Sequence, residues 1–176
     1  DEFIKDMHSD KNGMGVPLTS IEFFEPLGIG IAENLYGYPY NSNGAVVDKA
    51  LIMAYAYEFT GDKEYLSNAS EAVDYIFGRN GLDFSFVTGY GVNSVEYPVH
   101  QFWANSIDPY FPKAPSGVLV SGPSNTTPHI HYLDLLGINK YTTAPQKYYA
   151  DCIEAYGTND CSIQLNAPLT AFASFM

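Results

Sequence analysis

Two imidazoles, His129 and His131, stand close before Asp134 in this chain of 176 residues. Two nitrogens and a carboxylate make a metal centre only when a further ligand joins them, and none is apparent, so no metal and no cofactor is expected. Cys152 and Cys161 fall in one segment without paired C-x-x-C units, which gives zinc no support. Two buried thiols are the expected state, and a disulfide between them stays open. The aromatic content is the more telling feature: fifteen Tyr and eleven Phe exceed what a core of this size needs. Tyr offers an apolar face with a polar tip and so suits a surface that stacks on flat ligands. The same rings would also serve as core, and composition leaves both readings standing.

Charge removes several classes of partner. The net charge is −12 with only eight Lys and Arg, and no cluster of cations exists that could hold phosphates. No nucleic acid is expected, and no membrane surface, since a polybasic contact fails on the same count. The longest wholly apolar run, Ala50-Leu-Ile-Met-Ala-Tyr-Ala-Tyr57, is too short to span a bilayer. The first residues, Asp1-Glu-Phe-Ile, read as the middle of an element, and a fragment of a longer protein is expected. Sequons at Asn68 and Asn125 are short enough to arise by chance.

The elements that must position any site are legible in part. Over 45–59 nearly every position is apolar, interrupted only by Asp48, Lys49 and Glu58, which predicts a helix buried on all sides. Thr60-Gly61-Asp62 closes it, with Asp62 as N-cap of the next helix. Over 63–77, Tyr65, Leu66, Ala69, Ala72, Val73, Ile76 and Phe77 form one stripe, and Gly78 supplies the stop. An inner helix followed by an outer amphipathic one is the unit of a helical array or a double-ring barrel. A further helix is expected after Asn166, with Pro168 in its first turn and Leu169, Phe172, Ala173 and Met176 on one face. Between residues 20 and 40, Pro26, Gly28 and Gly30 argue against one continuous helix. From 79 to 165 the chain is rich in Gly, Pro, Asn, Ser and Tyr without long periodicity, which predicts long ordered loops on a helical scaffold.

Several stretches carry a resemblance. Tyr55, Glu58-Phe-Thr-Gly-Asp62 and Tyr75-Ile-Phe-Gly-Arg-Asn80 lead into Ser85-Phe-Val-Thr-Gly-Tyr-Gly-Val-Asn93 and Pro98-Val-His-Gln-Phe-Trp-Ala104. Further on, Tyr149, Asp151, Tyr156, Ser162, Asn166 and Ala167 keep a second spacing. Together they resemble the catalytic domain of family 9 glycoside hydrolases, the cellulase-type enzymes. The resemblance implies an all-α fold, an (α/α)6 double-ring barrel of which residues 1–176 form the C-terminal part as one unit. It also implies inverting hydrolysis of β-1,4-glucan, which needs one carboxyl to protonate the leaving oxygen and another to activate water.

Carried over residue by residue, the resemblance puts Asp160 where the family has its acid Glu, with its carboxyl withdrawn by one carbon–carbon bond, roughly 1.5 Å. Asp151 matches a family active-site position that more often orients neighbours than reacts. Val99 and Gln101 stand where the family usually has His and Arg, with His100 between them. An aliphatic side chain and an uncharged amide cannot replace an imidazole and a guanidinium. His100, Gln101, Tyr90, Trp103 and Tyr156 are the candidate substrate-binding residues, and Tyr97 is a further stacking candidate. The family's water-activating Asp pair has no counterpart here, since no Asp-x-x-Asp occurs. The expected partners are a β-glucan oligosaccharide or polysaccharide and the remaining N-terminal portion of the barrel, and the resemblance implies a secreted, extracellular protein. A non-catalytic carbohydrate-binding homologue and an acidic helical scaffold that only mediates contacts are the alternatives.

Overall fold

A computed structural model describes residues 2–9, 15, 21–23, 35–126 and 130–176. A short helix α1 (Glu2–Met7) comes first, then strands β1 (Ile21–Phe23) and β2 (Leu35–Gly37), paired antiparallel with Ile21 opposite Gly37. Helices α2 (Ser42–Thr60) and α3 (Lys63–Ile76) follow, then the single-turn α4 (His131–Leu135), a 3-10 turn (Pro145–Lys147) and α5 (Ile163–Phe175). The strand pair answers the doubt over residues 20–40 with a narrow ribbon where the described part of that stretch begins and ends.

The turn between α2 and α3 has the predicted chemistry. Gly61, at φ 71°, closes α2 in the left-handed conformation that glycine adopts without cost, and its N–H donates to Tyr57 O. The Asp62 carboxylate then accepts from Glu64 N at 3.0 Å and caps α3. On α3 the stripe is buried through Ala69, Ala72, Val73 and Ile76, while Phe77 is 40% exposed just past the helix end. Tyr75, outside that stripe, is buried against Phe86 at a ring separation of 6.0 Å.

Two helix expectations need correction. α2 is not buried all round, because it packs on α3 and α5 along one side through Val46, Val47, Ala50, Met53 and Ala54. On its other side Ile52 and Phe59 are 53% and 87% exposed. α5 begins earlier than its proline suggests: the Ser162 hydroxyl accepts from Leu165 N at 3.4 Å and opens the helix there. Pro168 therefore lies inside the helix, which forgoes one ladder bond, while Leu165, Leu169 and Phe172 are buried and Ala173 and Met176 stay exposed.

What replaces periodic structure between the helices is a buried irregular segment, residues 119–125. Its backbone polar groups must be paired, and neighbouring loops and α2 supply the partners. Val120 N donates to Phe86 O at 3.1 Å, Gly122 N to Thr158 O at 2.9 Å, and Ser124 N to Tyr148 O at 3.3 Å. In return Asn43 N and Nδ2 donate to Ser121 O and Val120 O, at 3.0 and 2.9 Å. Around it Phe84, Phe86 and Tyr149 pack at ring separations of 5.1 to 6.1 Å. Part of the aromatic surplus is thus core, each fully buried ring contributing about 2 kcal/mol, while among the described residues more Tyr and Phe are exposed than buried.

Candidate active site

Asp160 lies where three segments meet. Val99 forms an isolated parallel bridge with it, Val99 N donating to Asn159 O at 2.8 Å, while Asp160 O accepts from Ser121 N at 2.8 Å. The backbone at Asp160 is therefore fixed from both sides, and its side chain is partly open to solvent. Oδ1 accepts from Cys161 N at 2.9 Å, and Oδ2 accepts from the Tyr40 hydroxyl at 2.8 Å. Burial, and after it the bond to and charge of Asp160, push the Tyr40 phenol up to about 12. Burial and then the same charge push the Cys161 thiol up to about 11.

Asp151 is placed differently. Its carboxylate accepts from Glu96 N at 2.7 Å, Tyr97 N at 3.0 Å and Asn159 Nδ2 at 3.1 Å. These bonds tie the loop carrying Val99 to the loop carrying Asp160, so the group orients neighbours. Burial raises its pKa, against the three donors that favour the anion. Asn159 completes the tie: it is fully buried, donates also to Tyr97 O at 2.7 Å and accepts from Tyr149 OH at 2.6 Å. Burial, followed by the Asp151 charge, raises the Tyr149 phenol well above its ordinary value.

The residues that follow Asp160 enter a groove of about 490 Å³ lined by His100, Trp103, Cys161, Ser162 and Ile163 among others. The His100 and Trp103 rings are stacked, with centroids 4.0 Å apart. Because His100 Nδ1 accepts from Phe102 N at 3.1 Å, the neutral ring carries its proton on Nε2. Gln101 is exposed next to this pair, and Val99 presents no polar group to it. Tyr97 and Tyr156 are exposed at 40% and 53%. Tyr90 lines a separate groove of about 580 Å³ with Phe77, Leu169 and Met176, its ring edge-on to Phe77 at 6.2 Å. Val99 and Asp160 are thus bridged and Asp151 is tied to the same two loops, while His100 and Trp103 line the groove with Cys161 and Tyr90 lies in a different groove.

Sequence reasoning missed Tyr40, Ser121 and Asn159. Tyr40 is 120 residues from Asp160 and belongs to no motif, so no local signal pointed to it. Asn159, next to Asp160, could have been suspected from that adjacency. The sequons are now accounted for: Asn68 and Asn125 are 6% and 2% exposed, and their side chains are engaged with Glu64 O and Tyr38 N. His129 lies outside the described residues, and among those described no group of three or more His, Cys, Asp and Glu could hold a metal. No described helix is long and apolar enough to cross a membrane.

Residues 24–173 match the sequence pattern of Glycosyl hydrolase family 9. This chain belongs to that family. It is 34% identical over 140 residues to a cellulose 1,4-beta-cellobiosidase of Acetivibrio thermocellus, covering 80% of this chain and 15% of the relative. A xyloglucan-specific endo-beta-1,4-glucanase of Bacteroides ovatus is 35% identical over 129 residues, covering 73% of this chain and 20% of the relative. In three dimensions the family 9 endoglucanase J30 superposes on 99% of this chain with a TM-score of 0.76 at 25% identity. Only 28% of that structure is covered. The fold is accordingly part of the family's (α/α)6 barrel, with the short β1–β2 ribbon at its described margin.

Proposed function

We propose that this chain supplies the proton-donating side of an inverting β-1,4-glucan hydrolase. The observation that carries the reading is Asp160: its backbone is fixed by Val99 and Ser121, its carboxyl is partly open, and the residues that follow it, Cys161 to Ile163, line the groove with His100 and Trp103. As general acid its protonated carboxyl gives a proton to the glycosidic oxygen as the bond to the anomeric carbon breaks. A second carboxylate activates water on the opposite face; the family resemblance puts that group in the barrel portion outside this chain. Stacked His100 and Trp103 offer an apolar face for a glucose ring, and the His100 Nε2 proton offers a hydrogen bond to a hydroxyl. We take the site of action to be extracellular, where polymeric glucan is met. In the full-length protein, Asp160→Asn should cut turnover of a soluble β-glucan by about a hundredfold or more, measured by reducing-sugar release. Turnover equal to the parent would remove Asp160 from the chemistry.

Val99 and Gln101 favour a second reading. With no imidazole and no guanidinium at those positions, a carbohydrate-binding homologue that keeps the groove without the chemistry also fits. Saturable binding of cello-oligosaccharides by the full-length protein, with no product after prolonged incubation, would select it.

A further inference from the structure

Both oxygens of Asp160 have donors, and they come from different places. Cys161 N, from the next residue in the chain, draws Oδ1 inward at 2.9 Å. Oδ2 is the outward oxygen, and its donor is the Tyr40 hydroxyl at 2.8 Å, a normal length for a phenol donating to a carboxylate. Tyr40 itself sits between two pinned positions. Tyr38 is buried, its N–H donates to Asn125 Oδ1 at 3.0 Å, and its phenol oxygen accepts from Gln146 Nε2 at 2.7 Å. On the other side Ser42 Oγ donates to Pro123 O at 2.7 Å and Asn43 N to Ser121 O at 3.0 Å. Ser121 uses its carbonyl for the Tyr40 segment and its N–H for Asp160. One buried residue thus bonds both the backbone just after Tyr40 and the backbone of Asp160.

From this we propose that Tyr40 is a positioning residue for Asp160, holding the outward oxygen of a shortened acid in its working orientation. The proposal rests on the reading of Asp160 as proton donor. An aspartate reaches less far than a glutamate, so it tolerates less rotational wandering before the proton misses the leaving oxygen. With the proton on Oδ2, the Tyr40 O–H still donates to the remaining lone pair of that oxygen. In the step itself the Oδ2 proton passes to the glycosidic oxygen. The bond from that oxygen to the anomeric carbon breaks, its electron pair staying on oxygen, while water adds to the carbon and gives its proton to the opposing base. Asp160 is left as a carboxylate, and Tyr40 O–H and Cys161 N–H are already aimed at it, a donor arrangement that stabilises charge as it forms.

The test compares two substrates in the full-length protein: a cello-oligosaccharide, whose sugar leaving group needs protonation, and dinitrophenyl β-cellobioside, whose phenolate leaves without it. Asp160→Asn should lose turnover on the first and keep most of it on the second. Tyr40→Phe, which deletes one hydroxyl, should follow the same pattern more weakly. Its kcat on the oligosaccharide should fall roughly ten- to hundredfold, with KM within about twofold and the dinitrophenyl substrate largely spared. If Asp160→Asn shows no such selectivity, the proton-donor reading fails and takes this proposal with it. If Asp160→Asn shows it, the proposal alone is overturned by any of three results with Tyr40→Phe: unchanged turnover, equal loss on both substrates, or a change confined to KM. The last would make Tyr40 a sugar contact.

Discussion

The two aspartates of the site carry one kind of side chain and are held differently by what surrounds them. Asp151 accepts from two backbone N–H groups and the Asn159 amide, so it has little left to offer a substrate. Asp160 accepts from one backbone N–H and one phenol and stays partly open to solvent. Its charge also reaches Cys161, whose thiol burial has already raised and which ionises only near pH 11. Iodoacetamide reacts with thiolate, so alkylation of Cys161 at pH 8 should be on the order of a hundredfold slower than that of a free cysteine. Asp160→Asn should speed it, since one of the two causes is removed; peptide mapping by mass spectrometry reads both rates. Cys161 alkylating as fast as a model thiol would show the environment to be wrongly assigned. The linkage has a definite sign. An unfolded cysteine loses its proton near 8.5 and the folded one near 11, so between those values the folded state holds more protons. Stability from this group is therefore complete below about pH 8.5 and is lost as pH rises toward 11.

At the scale of elements, the helices were legible and the segment that organises the site was not. Periodicity found α3, and Asp62 and Gly61 found its start and the end of α2, because caps and stripes are local facts. Asp160 and Val99 were found through motif spacing. Residues 119–125 escaped because a buried irregular segment shows no periodicity and draws its partners from across the chain. Its importance can be tested at Gly122. With φ at 85° the residue is in the left-handed region, and a Cβ there would run into the Asn43 side chain that holds α2 to Val120 O. Gly122→Ala should cost roughly 2–4 kcal/mol, the sum of backbone strain and a displaced amide. It should lower the melting temperature of the full-length protein and, by shifting Ser121, reduce turnover as well. A melting temperature within about a degree of the parent would mean that Asn43 yields easily and that the segment is not rigid.

For the whole molecule, the decisive surface is the uncovered side of α2. Ile52, Tyr55 and Phe59 are 53%, 51% and 87% exposed on a helix otherwise built for an interior. The described helices packed against it are α3 and α5, on one side, whereas a double ring surrounds its inner helices. The family structure compared above extends well beyond this chain, which covers 28% of it. Leaving roughly 400 Å² of apolar surface wet forgoes about 10 kcal/mol at 25 cal/mol per Å², comparable with the whole stability of a typical domain. The chain taken alone should therefore bind a hydrophobic dye, self-associate in light scattering and melt without a sharp transition. It should also show no measurable hydrolysis of soluble β-glucan, because in the proposed reading the water-activating carboxylate lies outside this chain. Supplying the rest of the barrel should abolish dye binding and sharpen melting together, since both follow from covering one face. A monomeric chain that melts cooperatively and binds no dye would refute this. It would show that the loops between α3 and α5 fold over α2 in solution, leaving the Tyr40–Asp160 pair on a module that stands by itself.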